Sequence, residues 1–489
     1  MNLFIALLPI VLVFLCLFIL KYSALNTGII AFIATVSLVL YFKGPYQVRF
    51  ARVIDATISA TLISSIAAYV IFFGILLFHL MNESGKIEAI SNQIKSVTDD
   101  KALQVMILVT GISPLIESTS GFGTAFLVVT PILIALGIDN YKAACIGILS
   151  LLAVPWGALA TGTVIGAQIV NIDVRDIGFL TALLTSLTVI FFLVVCLFIL
   201  GGSKTVYNNK GRIIIYGLAF SITNMIFNYF VSVELAGVFS SLVAITIGIG
   251  NIRVENENTN KSYKKLIILL SPYIILTTFV FLTRVIPMVE TFLRNHVVIS
   301  FEKYQYELPI LYSPGFWLIL ASIYTIIKFN LNKMVVQKAM KRTMKQWGGF
   351  VISTTLFIAL AEIMDTSGMI NEISANLSAN FGSYFIVISS IIGSMGGFLT
   401  GSNTGANAMF MKLQTQTAHQ LNLHTELIAG IQNASASNAT MSTPSRIMLA
   451  AELCNIKEQE SRLQRTIIKI ILGSIVLVVV VAYILKLFN

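Results

Sequence analysis

Three polar interruptions of an otherwise apolar sequence hold the residues that could do chemistry. The first is SPLIESTSGFGTAFLVVTPILIAL, residues 113–136. Its centre carries one acid, Glu117, four hydroxyls (Ser118, Thr119, Ser120, Thr124) and two glycines, Gly121 and Gly123. The second is FLTGSNTGANA, residues 398–408, with Ser402, Asn403, Thr404, Gly405 and Asn407. The third is QNASASNATMSTP, residues 432–444, with Asn433, Ser435, Ser437, Asn438 and Thr440. Hydrocarbon does not tolerate unpaired backbone or an idle carboxyl group, so such breaks should be buried in protein and line a cavity. Paired breaks in the two halves of a chain point to a transporter's binding site.

The chemistry such residues suit is the binding of a small anion at membrane depth. Helix N-termini and unwound backbone can offer hydrogen-bond donors there. No Lys or Arg lies within the apolar runs around these breaks, so the expected donors are backbone N–H groups, hydroxyls and amides. Gly121, Gly123 and Gly405 would let backbone approach a ligand closely. Ser118, Thr119, Ser120, Ser402, Asn403, Thr404, Asn433, Ser437 and Asn438 are candidates for the contacts. Any one Ser or Thr alone reads as a helix residue bonded to its own backbone; the clusters together read as a lining. Two readings of Glu117 stay open: a proton carrier, or a hydrogen-bonding group at a turn. His79 and Glu362 would extend a proton path. Polar residues near helix ends are commonplace, however, and that plainer reading is preferred for both.

The surrounding elements follow from composition. Of 489 residues, 56% are hydrophobic and only 11% charged, with a mean hydropathy of +0.87. Soluble domains carry about 25% charged residues. Apolar runs of spanning length recur from end to end, which makes this an all-α polytopic membrane protein with about twelve spanning helices. The alternating pattern of a membrane barrel is absent. The net charge of +10 lies in loops and reports membrane orientation and anionic headgroups, not nucleic acid. Four scattered cysteines suggest neither a metal site nor a disulfide framework, and no cofactor is expected.

An internal repeat organises the runs. LFHLMNESGKIEAIS (77–91) aligns with LAEIMDTSGMINEIS (360–374), with seven of fifteen positions identical and an offset of 283 residues. His79 and Glu362 are equivalent in this register, and Gly147-Ile148 aligns with Gly430-Ile431. Gly121 aligns with Gly405 at an offset of 284. A short amphipathic helix follows each copy, through Ile87, Ile90, Ile94 and Val97 in the first and Ile370, Ile373, Leu377 and Phe381 in the second. The expected organisation is an N-terminal helix pair (1–52), a first transport repeat (53–176), connecting helices (177–345), a second transport repeat (346–452) and a C-terminal helix (453–489).

Orientation decides the kind of repeat. The basic loop 328–345, with Lys328, Lys333, Lys338, Lys341, Arg342 and Lys345, should be cytoplasmic, as should 201–212, 251–265 and 446–465. Counting crossings from there gives the two copies opposite orientations. The parity needs residues 102–136 and 384–414 to be re-entrant hairpins entering from opposite faces. Each repeat then also holds a broken spanning helix, one at Pro155 and Gly157 and one within 432–444.

At these residues the chain resembles the L-lactate permease family, within a broader ion-transporter superfamily. LIESTSGFGTAF, GSNTGANAMFMKLQTQTA and NASASNATMSTPSRIMLA carry the resemblance, with LMNESGKIEAIS before them, over about residues 53–452. It implies a substrate carboxylate and a coupling ion held between two hairpin tips and two broken helices. It also implies proton-coupled uptake of L-lactate and related 2-hydroxy monocarboxylates such as glycolate. Glu117 stands where that family has a glutamate before its glycine-rich turn. The setting would be a prokaryotic cell membrane, with the lipid bilayer as partner and the oligomeric state open.

Other readings remain. A sodium-coupled carboxylate or anion transporter would use the same architecture, with Asn403, Asn438 and hairpin carbonyls holding sodium. A membrane-embedded enzyme is disfavoured by the absence of HExxH, Cys/His metal spacing and GxSxG. A channel fits the inverted repeat poorly.

Overall fold

In lipid every backbone N–H and C=O must be satisfied within the protein, which leaves the helix as the element for these apolar runs. A computed structural model describes residues 2–95, 98–121, 123–250 and 257–488, without the side chains of 91, 94, 95, 257–263 and 488. It is 86% helical. Among the described residues eleven helices are long and apolar enough to cross a membrane, two of them holding hairpin arms (101–120 and 369–400), and a bent pair passes the same test together. Large side chains such as Phe4, Phe18, Ile33 and Phe230 are exposed on the outer surface, where lipid would meet them. Val97, the Ile94 side chain and loop residues 251–256 lie outside the described residues.

The internal repeat is visible in the elements themselves. Helices Phe50–Glu83 and Lys333–Thr366 each have 34 residues, and both ends are offset by 283. Each is followed by a glycine with positive φ, Gly85 at 69° and Gly368 at 84°. Each glycine turns the chain into a short helix, Lys86–Lys95 or Met369–Phe381. The two long helices pack together, with Ser64 Oγ 2.6 Å from Thr355 Oγ1 and the Trp347 indole N–H donating to the Ala68 carbonyl at 2.7 Å. Among the described residues seven crossings lead from the first to the second, counting the second itself and the shorter apolar helix Pro314–Lys328 but not the hairpin arm 101–120. An odd number turns the second copy over, so the repeats are inverted.

Two segments expected as loops are helical. The basic stretch 328–345 mostly belongs to helix 333–366. Lys338 and Arg342, four residues apart on one face, both pair with Glu83 at the end of helix 50–83. Residues 201–208 continue the helix Val174–Asn208 past a kink at Gly201 and Gly202. The loop 286–313 carries a two-stranded antiparallel hairpin, Val298–Phe301 with Tyr306–Pro309.

Each repeat contains a re-entrant hairpin. In the first, helical residues 102–120 are wholly buried inside the protein, as a break at membrane depth requires. The chain turns at Gly121 and Gly123 (φ 66° and 71°) and returns through Thr124–Ala135. The hairpin's ends meet where Lys101 Nζ donates to the Gly137 carbonyl at 3.5 Å. In the second, Phe385–Thr400 turns at Gly401 (φ 64°) into Asn403–Gln420. Gln414 Nε2 ties the two arms by donating to the Ser389 carbonyl at 3.2 Å. The turn glycine equivalent to Gly121 is therefore Gly401, not Gly405. Gly405 lies in the first helical turn, where its N–H caps onto Ser402 Oγ at 3.2 Å.

The broken spans complete the repeats. Asn140–Leu149 and Val154–Val170 bend by 55° across their break. In the second copy, Thr425–Ala439 gives way to a short turn, Thr440–Ser442, and then to Pro444–Leu453. The break falls at 440–443, within the polar stretch 432–444 and near its end, and Asn433 to Asn438 stay helical. Pro444 sets this position: it pushes Thr443 into an extended conformation (ψ 133°) and brings no N–H to the helix ladder.

Candidate functional site

The hairpin tips and both breaks meet around one small cavity of about 40 Å³. Glu117, Gly121, Thr161, Ser402, Asn403, Thr404 and Arg446 supply its polar lining, and Ile71, Val154 and Phe350 its apolar walls. The first break passes it as a left-handed turn at Ala158, Leu159 and Ala160, while three helices begin beside it, those starting at Thr124, Asn403 and Pro444. Their first-turn N–H groups give the region the positive field that favours an anion.

Glu117 sits one turn before the first hairpin tip. It is 1% exposed, and its Oε1 accepts the Gly123 N–H at 2.9 Å. The positive φ of Gly123 makes this reach-back possible. The tip is clamped by close backbone packing. A Cβ on Gly121 would stand 2.9 Å from the Ala158 Cβ, and one on Gly74 only 2.4 Å from the Thr119 carbonyl oxygen.

Arg446 is the residue sequence reasoning missed. It had been grouped with the cytoplasmic segment 446–465, and the site was expected to use uncharged donors only. Instead the guanidinium is 6% exposed and faces the cavity from the second break. It donates to Thr440 Oγ1 at 2.7 Å and to the Gly401 carbonyl at 3.1 Å, bridging the broken helix to the second hairpin tip. The available signal was position: Arg446 follows Pro444 by two residues, inside the first turn of the helix that restarts there.

The remaining expected residues divide into three groups. Ser402, Asn403, Thr404 and Gly121 line the cavity, and Gly123 lies between Glu117 and Arg446. Asn433 stands one layer behind, accepting from Asn403 Nδ2 at 2.8 Å. The others do not reach the cavity. Thr119 and Ser120 return their hydroxyls to the Ile116 carbonyl. Ser118 packs against Gly237, and Gly405 lines a neighbouring space. Ser437 and Asn438 are buried in helix 425–439, where Ser437 Oγ and Asn438 Nδ2 lack hydrogen-bond partners. His79 and Glu362 are also set apart: His79 Nε2 lies 3.2 Å from Gln346 Oε1, and Glu362 pairs with Lys412 at 3.0 Å.

Larger spaces flank the cavity on two sides. Thr161 also lines a chamber of about 190 Å³ beside Arg284 and Tyr312. Gln168, two turns along the same helix face, links that chamber to a vestibule of about 680 Å³ under the β-hairpin. On the other side, Phe350, Gly401 and Ser402 separate the cavity from a space of about 310 Å³ against the N-terminus of helix Ala24–Tyr41.

The chain is similar to several known proteins. The L-lactate permease of Halalkalibacterium halodurans is 22% identical, over 99% of this chain and 97% of its own. The L-lactate permease of Streptococcus iniae is 24% identical, over 73% of this chain and 78% of its own. The glycolate permease GlcA of Escherichia coli is 27% identical over 49% of this chain and 43% of its own. Among solved structures, MtrF of Neisseria gonorrhoeae, from a class of antimetabolite efflux pumps, aligns over 94% of each chain with 12% identity and a TM-score of 0.49. The family profile described as L-lactate permease matches residues 2–488, and the chain belongs to the L-lactate permease family.

Proposed function

We propose that this protein takes up L-lactate, and related 2-hydroxy monocarboxylates such as glycolate, by proton symport across a prokaryotic cell membrane. The observation that carries the reading is a buried acid and a buried guanidinium lining one cavity, Glu117 and Arg446. With Glu117 ionised and Arg446 protonated, the empty site is neutral. A carboxylate that enters adds one negative charge in surroundings where an unbalanced charge is costly. A proton on Glu117 restores neutrality, leaving Arg446 to hold the substrate carboxylate. Empty and loaded sites then carry the same net charge, and one proton accompanies each anion. Arg446 suits this role because its planar fork matches a carboxylate.

Glu117, Asn403 and Arg446 are 1%, 5% and 6% exposed around this cavity, so entry of substrate requires the hairpin tips to part. The flanking spaces give each tip a side on which to open, toward Thr161 or toward Phe350. Alternation between the two would expose the site to one face at a time.

The test is uptake of labelled L-lactate into proteoliposomes under an imposed pH gradient, without sodium. Accumulation that a protonophore collapses is expected. Uptake only after sodium is added would keep the carboxylate and replace the coupling ion. No uptake under either condition would remove L-lactate as the substrate.

A further inference from the structure

We propose that Asn403 reads the 2-hydroxyl group of the transported acid, through an amide orientation that its hydrogen-bond network fixes. This rests on the carboxylate reading above and assigns the feature that would separate a hydroxy acid from a plain one.

An amide can present either its oxygen or its nitrogen to a ligand, and its partners decide which. Here the decision can be traced to backbone carbonyls, which only accept. The Thr163 hydroxyl donates to the Pro155 carbonyl at 2.7 Å. Its oxygen is then free to accept, and it takes the Asn433 amide nitrogen at 3.0 Å. That turns Asn433 Oδ1 the other way, where Asn403 Nδ2 and Asn407 Nδ2 each donate to it at 2.8 Å. A second anchor gives the same answer: Asn407 Nδ2 also faces the Gly162 carbonyl at 3.0 Å, so Asn407 must meet Asn433 as a donor.

With one N–H committed to Asn433, the amide of Asn403 is fixed with its nitrogen toward Asn433 and its oxygen turned away from it. Asn403 lines the central cavity and is 5% exposed, and its Oδ1 is buried without a hydrogen-bond partner. Arg446 and the helix N-termini around the same cavity are donors, which suit a carboxylate but not a hydroxyl hydrogen. Asn403 Oδ1 is an oriented acceptor awaiting a donor. A 2-hydroxy monocarboxylate supplies both halves: a carboxylate for Arg446 and an O–H for Asn403. Propionate matches the carboxylate alone and would leave Oδ1 shut away from water and unpaired, the costly arrangement for a buried polar atom.

The experiment measures KM for labelled L-lactate and labelled propionate with the full chain in proteoliposomes. In the native protein L-lactate is expected to have the lower KM by about tenfold or more, the worth of one buried hydrogen bond. Asn403→Ala should raise the L-lactate KM until the two acids are handled nearly alike, while the propionate KM moves by no more than about twofold. The double variant Thr163→Val with Thr181→Val, neither position lining the cavity, removes both hydroxyls that accept from Asn433 Nδ2 and should erode the ratio in the same direction. It carries the test if Asn403→Ala does not fold. Equal loss for both acids in these variants would make Asn403 a structural residue and overturn the proposal. Native protein that handles the two acids alike would also overturn it, leaving carboxylate transport standing. Native protein that transports neither acid would remove the carboxylate reading and this inference with it.

Discussion

Glu117 and Arg446 both approach Gly123 and line one cavity without forming a salt bridge. Glu117 Oε1 accepts the Gly123 N–H at 2.9 Å, and a Cβ on Gly123 would stand 2.9 Å from the Arg446 guanidinium carbon. The acid belongs to one repeat and the cation to the other. The position equivalent to Glu117, counted from the turn glycine, is Gly397, where an added Cβ would lie 2.0 Å from the Ala436 carbonyl oxygen. The scaffold is symmetric in its elements but not in its charges. Arg446 also lies in the first turn of a helix, where the dipole opposes a cation. A site built this way is stabilised by an anion placed between its two ends.

Arg446→Gln should therefore abolish L-lactate uptake, lowering the initial rate by at least about a hundredfold, in line with loss of a charge-assisted bidentate partner. Arg446→Lys keeps the charge but not the fork, and should retain a few per cent of the rate with a raised KM. Normal uptake by Arg446→Gln would move the carboxylate site elsewhere.

Glu117→Gln separates carrying the proton from binding the anion. The amide preserves the side chain's shape and can still accept from Gly123, but cannot take up and release a proton. Exchange of labelled for unlabelled L-lactate should persist, whereas a pH gradient should no longer drive accumulation. A variant that keeps both would assign Glu117 to the structure of the hairpin tip alone.

Much of this arrangement was legible in the sequence, and particular residues show why the rest was not. The pair Gly85 and Gly368 marks matching left-handed turns, so the alignment of ESGKI with TSGMI found the true register of the long helices. The hairpins were legible because their polar tips sit in apolar surroundings. The register then slipped at Gly405, since a glycine in a first helical turn and a glycine in a left-handed turn look identical in sequence. Thr119 and Ser120 looked like ligands because composition cannot reveal that their hydroxyls return to the Ile116 carbonyl. Arg446 was hidden by the positive-inside rule: it reads as the start of a basic loop, and only the fold of Thr440 to Pro444 carries it back into the site.

Gly123→Ala tests the clearance at the centre of the site. At φ 71° an L-residue is strained by about 1–2 kcal/mol, and the new methyl group would overlap Arg446 as well. The guanidinium is the end of a flexible side chain and can shift, so the protein should still fold. The expected result is a fall in melting temperature together with a KM for L-lactate raised several-fold or more. Gly85→Ala makes a useful control, because its φ is also positive (69°) but an added Cβ meets nothing within 4 Å. It should lower the melting temperature without changing KM. Matching KM changes in both variants would show that strain alone, not contact with Arg446, is responsible.

Lys412 tests whether Glu362 relays protons or holds the second hairpin in place. Lys412 lies on the returning arm of that hairpin, with its ammonium 3.0 Å from Glu362 and 2.9 Å from Asp365 on helix 333–366. The three side chains are 21%, 15% and 29% exposed, so the cluster is shielded enough for its loss to matter. Lys412→Met would leave two acids three residues apart on one helix face without a cation. A destabilisation of about 1–3 kcal/mol is expected, below the range for a fully buried pair. Thermal unfolding of the purified protein would read it, and adding Glu362→Gln to Lys412→Met should recover part of the loss by removing the like-charge contact. Glu362→Gln alone should lower the melting temperature while leaving pH-driven uptake in place. If it instead abolishes that uptake with the fold intact, Glu362 belongs to the proton path and the pairing with Lys412 is its resting state.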